Sequence, residues 1–284
     1  MSVWQKLLMP AIAGKFVRDG LAEIGGPVVR AADVVTLSPA ELVASYGLAG
    51  EGLVFPANPE YVDLLRFTQV PLMRFTAPDA VGERPWPTYE NGFLRAPSRA
   101  PVWNLARTRV PMNAEIWRKY ADGREELLAH YGSLSKGWTE ARGYYPPLHL
   151  VGARAKWRGL DLPAEFLPNG QEGVELVWMG DEGTPAGFEE VRPAIHRRLV
   201  PFSECEEIFE VVITASWNGI RVRVLQRAGD EALVLLENPE WDEVTRIRAG
   251  VVEPGIFEAT VPFAELVDVE SIANVFTAGA GATA

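Results

Sequence analysis

The chain has 284 residues, 48% hydrophobic and 23% charged, with 38 Asp and Glu against 27 Lys and Arg for a formal charge of −11. Those proportions describe a globular protein long enough for two domains, or for one with appended small modules, and they exclude a disordered tail. The acidity argues against nucleic acid, whose binding draws on Lys and Arg neutralising phosphates, and it favours a neutral or basic protein partner.

The single Cys205 leaves no intramolecular disulfide and suits a reducing cytoplasm. The longest apolar runs fall short of the 18 or so residues of a membrane span. Arg exceeds Lys, and Ala, Gly and Val are abundant, a balance common in high-GC bacterial sequences.

At the N-terminus, Ser2 and Gln5 read as a capping box, with Val3, Trp4, Leu7 and Leu8 on one face of a short helix that Pro10 ends. Leu7 to Ala13 ends in an A-x-A pattern but is short and broken by Pro10, so it reads as folded chain, not as an export signal. Phe16, Val17, Leu21 and Ile24 suggest a second helix stopped by Gly25-Gly26. Ser38-Pro39-Ala40-Glu41 starts a third, which Gly47 stops. Asn58-Pro59 precedes a helix through Tyr61, Leu64 and Leu65, followed by a β-like stretch from Val70 to Phe75. Residues 1–80 are therefore expected to form an α+β region.

Pro78 to Pro101, including Arg84-Pro85-Trp86-Pro87, reads as a long connection. Residues 81–149 then form a β-rich middle region, with a hairpin in which 115–120 and 126–131 flank the turn pair Asp122-Gly123. The stretch Gly132-Ser133-Leu134-Ser135-Lys136-Gly137 has the small residues and lysine of a phosphate loop without its spacing, and reads as the loop leaving that hairpin.

The C-terminal half carries one unit written twice. Ala155-Lys156-Trp157-Arg158-Gly159-Leu160 is matched by Ala215-Ser216-Trp217-Asn218-Gly219-Ile220. Val200-Pro201-Phe202-Ser203-Glu204-Cys205 is matched by Val261-Pro262-Phe263-Ala264-Glu265-Leu266. Both anchors are displaced by about 60 residues, which marks internal duplication. The units are placed at 150–208 and 209–275, with a flexible tail at 276–284.

The A-x-W-x-G start, the strand pair that follows it and the closing V-P-x-x-E resemble SH3/Tudor-like barrels used as interaction modules. The resemblance implies two tandem small closed β-barrels. It also implies an aromatic cage for a cationic side chain at Trp157, Phe166, Trp178 and Asp181, with the alternative that Trp157 is simply a core plug. The second copy has Leu235 or Leu236 near the place of Trp178.

Metalloprotease, Walker, nucleophile-elbow, paired C-x-x-C and dinucleotide-loop motifs are missing from the sequence. His130, His149 and His196 do not suggest a metal set, and Cys205 stands where the sister copy has Leu266, a packing position. Trp86-Pro87, Asn91-Gly92-Phe93, Val110-Pro111, Arg118 and Ala141-Arg142-Gly143-Tyr144-Tyr145-Pro146-Pro147 resemble, in that order, the first half of necrotizing-toxin-type NAD glycohydrolases. That resemblance implies an NAD-cleaving or ADP-ribosyl-transferring enzyme in which Arg118 and Arg142 hold phosphates. The family's glutamine-bearing second half has no counterpart, and pairing with nearby acids accounts for the same arginines.

The reading as a whole is an α+β protein: a mixed N-terminal region, a β-rich segment and two SH3-like barrels. It acts as a non-catalytic, cytoplasmic protein-binding protein, an adaptor or immunity-like protein, with no cofactor and no metal. The alternative is the NAD-dependent enzyme centred on 86–147.

Overall fold

The computed structural model describes residues 2–46, 48, 54–77, 101–253 and 255–276. Strand makes up 51% and helix 14%, in two large antiparallel sheets, so the expected α+β architecture gives way to a mostly-β one.

The difference begins at the first element. Val3–Leu8 is a strand, β1, paired on one side with β2 (Glu23–Arg30) and on the other with β3 (Tyr61–Thr68). Both its faces are covered. Trp4 and Leu8 enter one core with Ile12, Phe16 and Leu65, while Leu7 enters another with Leu42, Val43 and Leu64. A strand buried on both faces loses its polar alternation, and a short continuous apolar run cannot be told from a buried helix by periodicity. Tyr61 to Leu65, expected as helix, lies in β3 for the same reason.

The expected second helix shrinks to a helical turn, α1 (Pro10–Gly14), continued as a π-turn over Lys15–Asp19 and closed by left-handed Gly20. Ile24 belongs to β2. A second turn, α2 (Ala31–Val34), precedes α3 (Pro39–Ser45), which has the expected capping box: Glu41 N donates to Ser38 Oγ at 3.3 Å and Ser38 N to Glu41 Oε2 at 2.9 Å. The expected stop, Gly47, lies outside the described residues. Of the β-like stretch from Val70, only Phe75 enters a strand, β4 (Phe75–Thr76).

The first sheet is completed by β5 (Trp103–Arg109), β6 (Glu115–Tyr120), β7 (Glu125–Ser133) and β8 (Gly137–Trp138), in the order β4-β5-β2-β1-β3-β6-β7-β8. The β6–β7 hairpin turns where expected. Asp122 Oδ1 accepts from Arg124 N at 2.9 Å, and Gly123 takes a φ of 88°. Most of the expected connection from Pro78 to Pro101 lies outside the described residues.

The two copies appear as two runs of strands with the same pairing. The first is β9 (Arg154–Trp157), β10 (Leu160–Phe166), β11 (Gly173–Met179), β12 (Glu189–Arg192) and β13 (Ile195–Pro201). The second is β14 (Glu207–Trp217), β15 (Ile220–Ala228), β16 (Glu231–Leu236), β17 (Gly250–Glu253) and β18 (Ile256–Pro262). In each, the first three strands form a meander, the third pairs with the fifth, and the fifth with the fourth. The opening turns match: Arg158 and Gly159 have φ of 50° and 74°, Asn218 and Gly219 of 51° and 81°, the two positive values that a type I′ hairpin requires. The V-P-F motif of each copy leads into a single 3-10 turn, Phe202–Glu204 and Phe263–Glu265. The copies differ where the second inserts α4 (Trp241–Ile247) between its third and fourth strands.

The expected closed barrels are not formed. The strands make one open sheet, β12-β13-β11-β10-β9-β14-β15-β16-β18-β17, with β19 (Val267–Phe276) on β14. The reason lies in β14, which serves both copies. Its Glu207–Phe209 end pairs with β9 as the last strand of the first, and its Ile213–Trp217 end pairs with β15 as the first strand of the second. Its other edge is taken along nearly its whole length by β19, the last strand of the second copy. β14 is thus shared between the two copies, with both of its edges occupied. Phe276, where the tail was expected to begin, ends β19 and packs edge-on against Phe166 and Phe202. Residues 277–284 lie outside the described residues.

Candidate functional site

Three of the four residues proposed for an aromatic cage, Trp157, Phe166 and Trp178, belong to or pack against a core. Trp157 is 1% exposed and Phe166 is also buried, both in one cluster with Leu162 and Leu176, and Trp178 packs against it. Asp181 is exposed in the turn after β11. Arginine, not a ligand, covers Trp157, with the Arg158 and Arg198 guanidinium carbons 4.4 and 5.1 Å from its ring centroid. Trp217 differs from its counterpart: it is partly exposed, and its indole N–H donates to Glu265 at 3.1 Å.

Arg118 lies on β6, donates to both carboxylate oxygens of Asp63 at 2.8 and 3.0 Å, and stacks on Tyr61 at 3.9 Å. Arg142 is exposed, with its backbone amide bonded to Arg18 O. Trp86-Pro87 and Asn91-Gly92-Phe93 lie outside the described residues. Cys205 is half-buried, and burial pushes its thiol up to about 11, away from nucleophilic reactivity. Among the described residues, no three His, Cys, Asp or Glu side chains are grouped to hold a metal, and no helix is long and apolar enough to cross a membrane.

The structure assembles a different set of charged groups, at the contact between the two sheets. Glu165 and Glu175 sit directly opposite each other across β10 and β11, both buried. The loop after β7 meets them: Leu134 N donates to Glu165 and Ser135 N to Glu175 at 2.9 Å. The resemblance of residues 132–137 to an anion-binding loop thus has a physical basis, but the anions are the protein's own carboxylates. Burial and the facing Glu175 push Glu165 up to about 8. Arg197 reaches Glu175 at 3.5 Å. Beside them, Arg109 donates to the carbonyls of Val151, Ala153 and Ala164 at 2.6 to 3.1 Å. A Cβ on Gly152 would lie 2.7 Å from Arg109 Nε, so that backbone approach requires glycine. The cavity bordered by Glu165 and Arg109 measures about 30 Å³, room for one water and no substrate. This acid pair clamps the first copy to the first sheet.

Further along the same seam, Lys6 is buried between Glu253 at 3.1 Å and Gly25 O at 2.9 Å. Arg107 pairs with Glu23 at 3.3 Å and Glu258 at 3.2 Å, and burial raises both carboxyls despite that arginine. Arg223 pairs with Glu210 at 2.9 Å and donates to Arg107 O at 2.9 Å. Of these groups, Gly25, Arg107 and Arg223 border a cavity of about 410 Å³ between β2, β4 and β5 of the first sheet and β14, β15, β16, β18 and β19 of the second.

A third feature is β19 itself. Val267, Val269, Ile272 and Val275 are 46% to 56% exposed, and among the described residues the strand pairs with β14 alone. Sequence reading passed over all three features. Their available signal was charge inside apolar strands, such as Glu165 after Leu162-Pro163-Ala164, and apolar residues in a strand with no covering partner.

Comparison with known proteins returns no matching family model, no matching curated protein and no matching solved structure.

Proposed function

We propose that the protein is a non-catalytic, cytoplasmic protein-binding protein, an adaptor of which an immunity-like role is one version, and that it adds an extended strand of a neutral or basic partner to the outer edge of β19. The observation that carries this reading is the set of exposed apolar residues Val267, Val269, Ile272 and Val275, spread over both faces of a ten-residue strand that, among the described residues, is paired on one side. Unpaired edges template strand addition, and proteins blunt them with Lys, Pro or short length. Residues 267–276 contain neither Lys nor Pro. The chain supplies its own precedent, because the corresponding edge of β14 is covered by an antiparallel strand, β19.

Asp268 and Glu270 on the strand, together with the net charge of −11, favour a basic partner over an acidic one. The cavity beside Glu165 has room for about one water, which supports a binding role over catalysis there. Nothing in the surroundings of Arg118, whose guanidinium is taken up by Asp63, favours the NAD-cleaving alternative.

The test is affinity capture from the native host with the full chain and with Val269→Lys, which places a charge among the exposed apolar residues of the strand, away from the buried core and from the cavity between the sheets. A stoichiometric partner that shields the β19 amides from hydrogen exchange, and that Val269→Lys releases, is the expected result. A partner retained by the variant, or background proteins alone, overturns the reading. So does a wild-type dimer that the variant converts to monomer, since the occupant is then a second copy of the chain.

A further inference from the structure

We propose that the cavity between the two sheets is a binding site for a small organic anion, a carboxylate or phosphate compound of roughly nucleotide size. Four arginines line it, Arg74, Arg107, Arg221 and Arg223, together with the amides of Asn104 and Asn274. Among the described residues, the only acid in the lining is Glu237, which Arg221 Nε engages at 2.9 Å. Glu23, Glu258 and Glu210 pair with these arginines but do not line the cavity, so its charged lining is predominantly cationic.

Arg107 and Arg223 are 7% and 2% exposed. A guanidinium keeps its charge when buried, and each of its N–H groups then needs an acceptor. Arg107 Nε, Arg223 Nε and Asn274 Nδ2 are buried donors with no hydrogen-bond partner. Three orphaned donors from strands of two different sheets, around one cavity, are what an anion with several oxygens satisfies when it enters.

Size separates an organic ligand from a bare ion. A cavity of about 410 Å³ falls within the range of small-molecule sites and far exceeds what one phosphate fills. Its remaining walls include Leu235, Leu236 and Ile256, an apolar surface for the body of such a ligand. Planar carboxylate and tetrahedral phosphate both suit a guanidinium fork, so the chemistry they share defines the ligand class.

The test titrates the full chain with three probes, inorganic phosphate, adenosine monophosphate and citrate, by calorimetry and by thermal shift. Arg221→Ala and Asn104→Ala are the variants, because Arg221 is largely exposed, Asn104 is only partly buried, and both lie off β19. Each is expected to keep the unliganded melting temperature and to weaken binding about tenfold, the weight of one charge-assisted hydrogen bond. Saturable binding of adenosine monophosphate but not citrate assigns a phosphate compound, and the reverse a carboxylate. Saturable binding of none of the three at millimolar concentration overturns the proposal, as does binding that both variants retain unchanged. Because strand docking is probed by Val269→Lys, at a residue outside the cavity lining, either proposal can fail without the other.

Discussion

Glu165 and Glu175 face each other across β10 and β11, two buried carboxylates at directly opposed positions. Like charges in that relation repel strongly at low dielectric, so one of the two holds a proton. The one favoured is Glu165, whose carboxyl is raised to about 8, while Glu175 has Arg197 beside it.

Stability is expected to fall as pH rises from about 4.5 to 8. Folding raises the Glu165 carboxyl from 4.5, so within that window the native state binds a proton that the unfolded chain has released. The contribution is complete below the unfolded value and lost as pH passes through the folded one, with a slope of up to about 1.4 kcal/mol per pH unit. Glu165→Gln keeps an acceptor for Leu134 N and has nothing to titrate. Urea unfolding across the window should therefore give a flatter profile for the variant, and equal slopes would remove Glu165 as the cause.

Arg109 is expected to be among the most sensitive positions of the fold. Arg109→Met preserves much of the side-chain volume but strands the carbonyls of Val151, Ala153 and Ala164, at a cost on the order of 3 kcal/mol. Chemical denaturation measures this, and a loss under about 1 kcal/mol would mean that water replaces the guanidinium.

Lys6 and Glu253 should behave as a coupled pair. Lys6→Met alone leaves Glu253 as an uncompensated buried charge and is expected to cost about 3 to 5 kcal/mol. Lys6→Met with Glu253→Leu should recover most of that loss, because two apolar groups replace an ion pair without leaving either charge behind. A double-mutant cycle in which the two losses simply add would contradict the coupling.

The two signature tryptophans should respond differently. Trp157→Ala empties a closed core and is expected to cost about 3 to 5 kcal/mol, whereas Trp217→Ala, at a partly exposed site at the margin of a core and with one bond to Glu265, should cost about 1 to 2 kcal/mol. Equal losses would mean that Trp217 is also a core plug.

What could be read from the sequence was local. The Ser38 and Glu41 capping box, the Asp122-Gly123 turn and the recurring A-x-W-x-G and V-P-F segments are each decided by residues a few positions apart, and the structure has each in place. β1 and β3 were misread because burial on both faces removes the polar alternation that marks a strand. Barrel closure was misjudged because it depends on which distant edges meet, and β14 meets β9, β15 and β19 through residues whose types are those of any strand. Arg107 and Arg223, 116 residues apart, come together only through the contact of the two sheets.

The double service of β14 bears on how this chain can be cut. A boundary placed between 208 and 209 runs through that strand, and a break at either of its ends strips one copy of its last strand or the other of its first. The copies therefore cannot be purified as independent modules, and protease nicks around Trp217 should yield fragments that stay associated or unfold together. Two copies that share a strand are expected to unfold as one cooperative body.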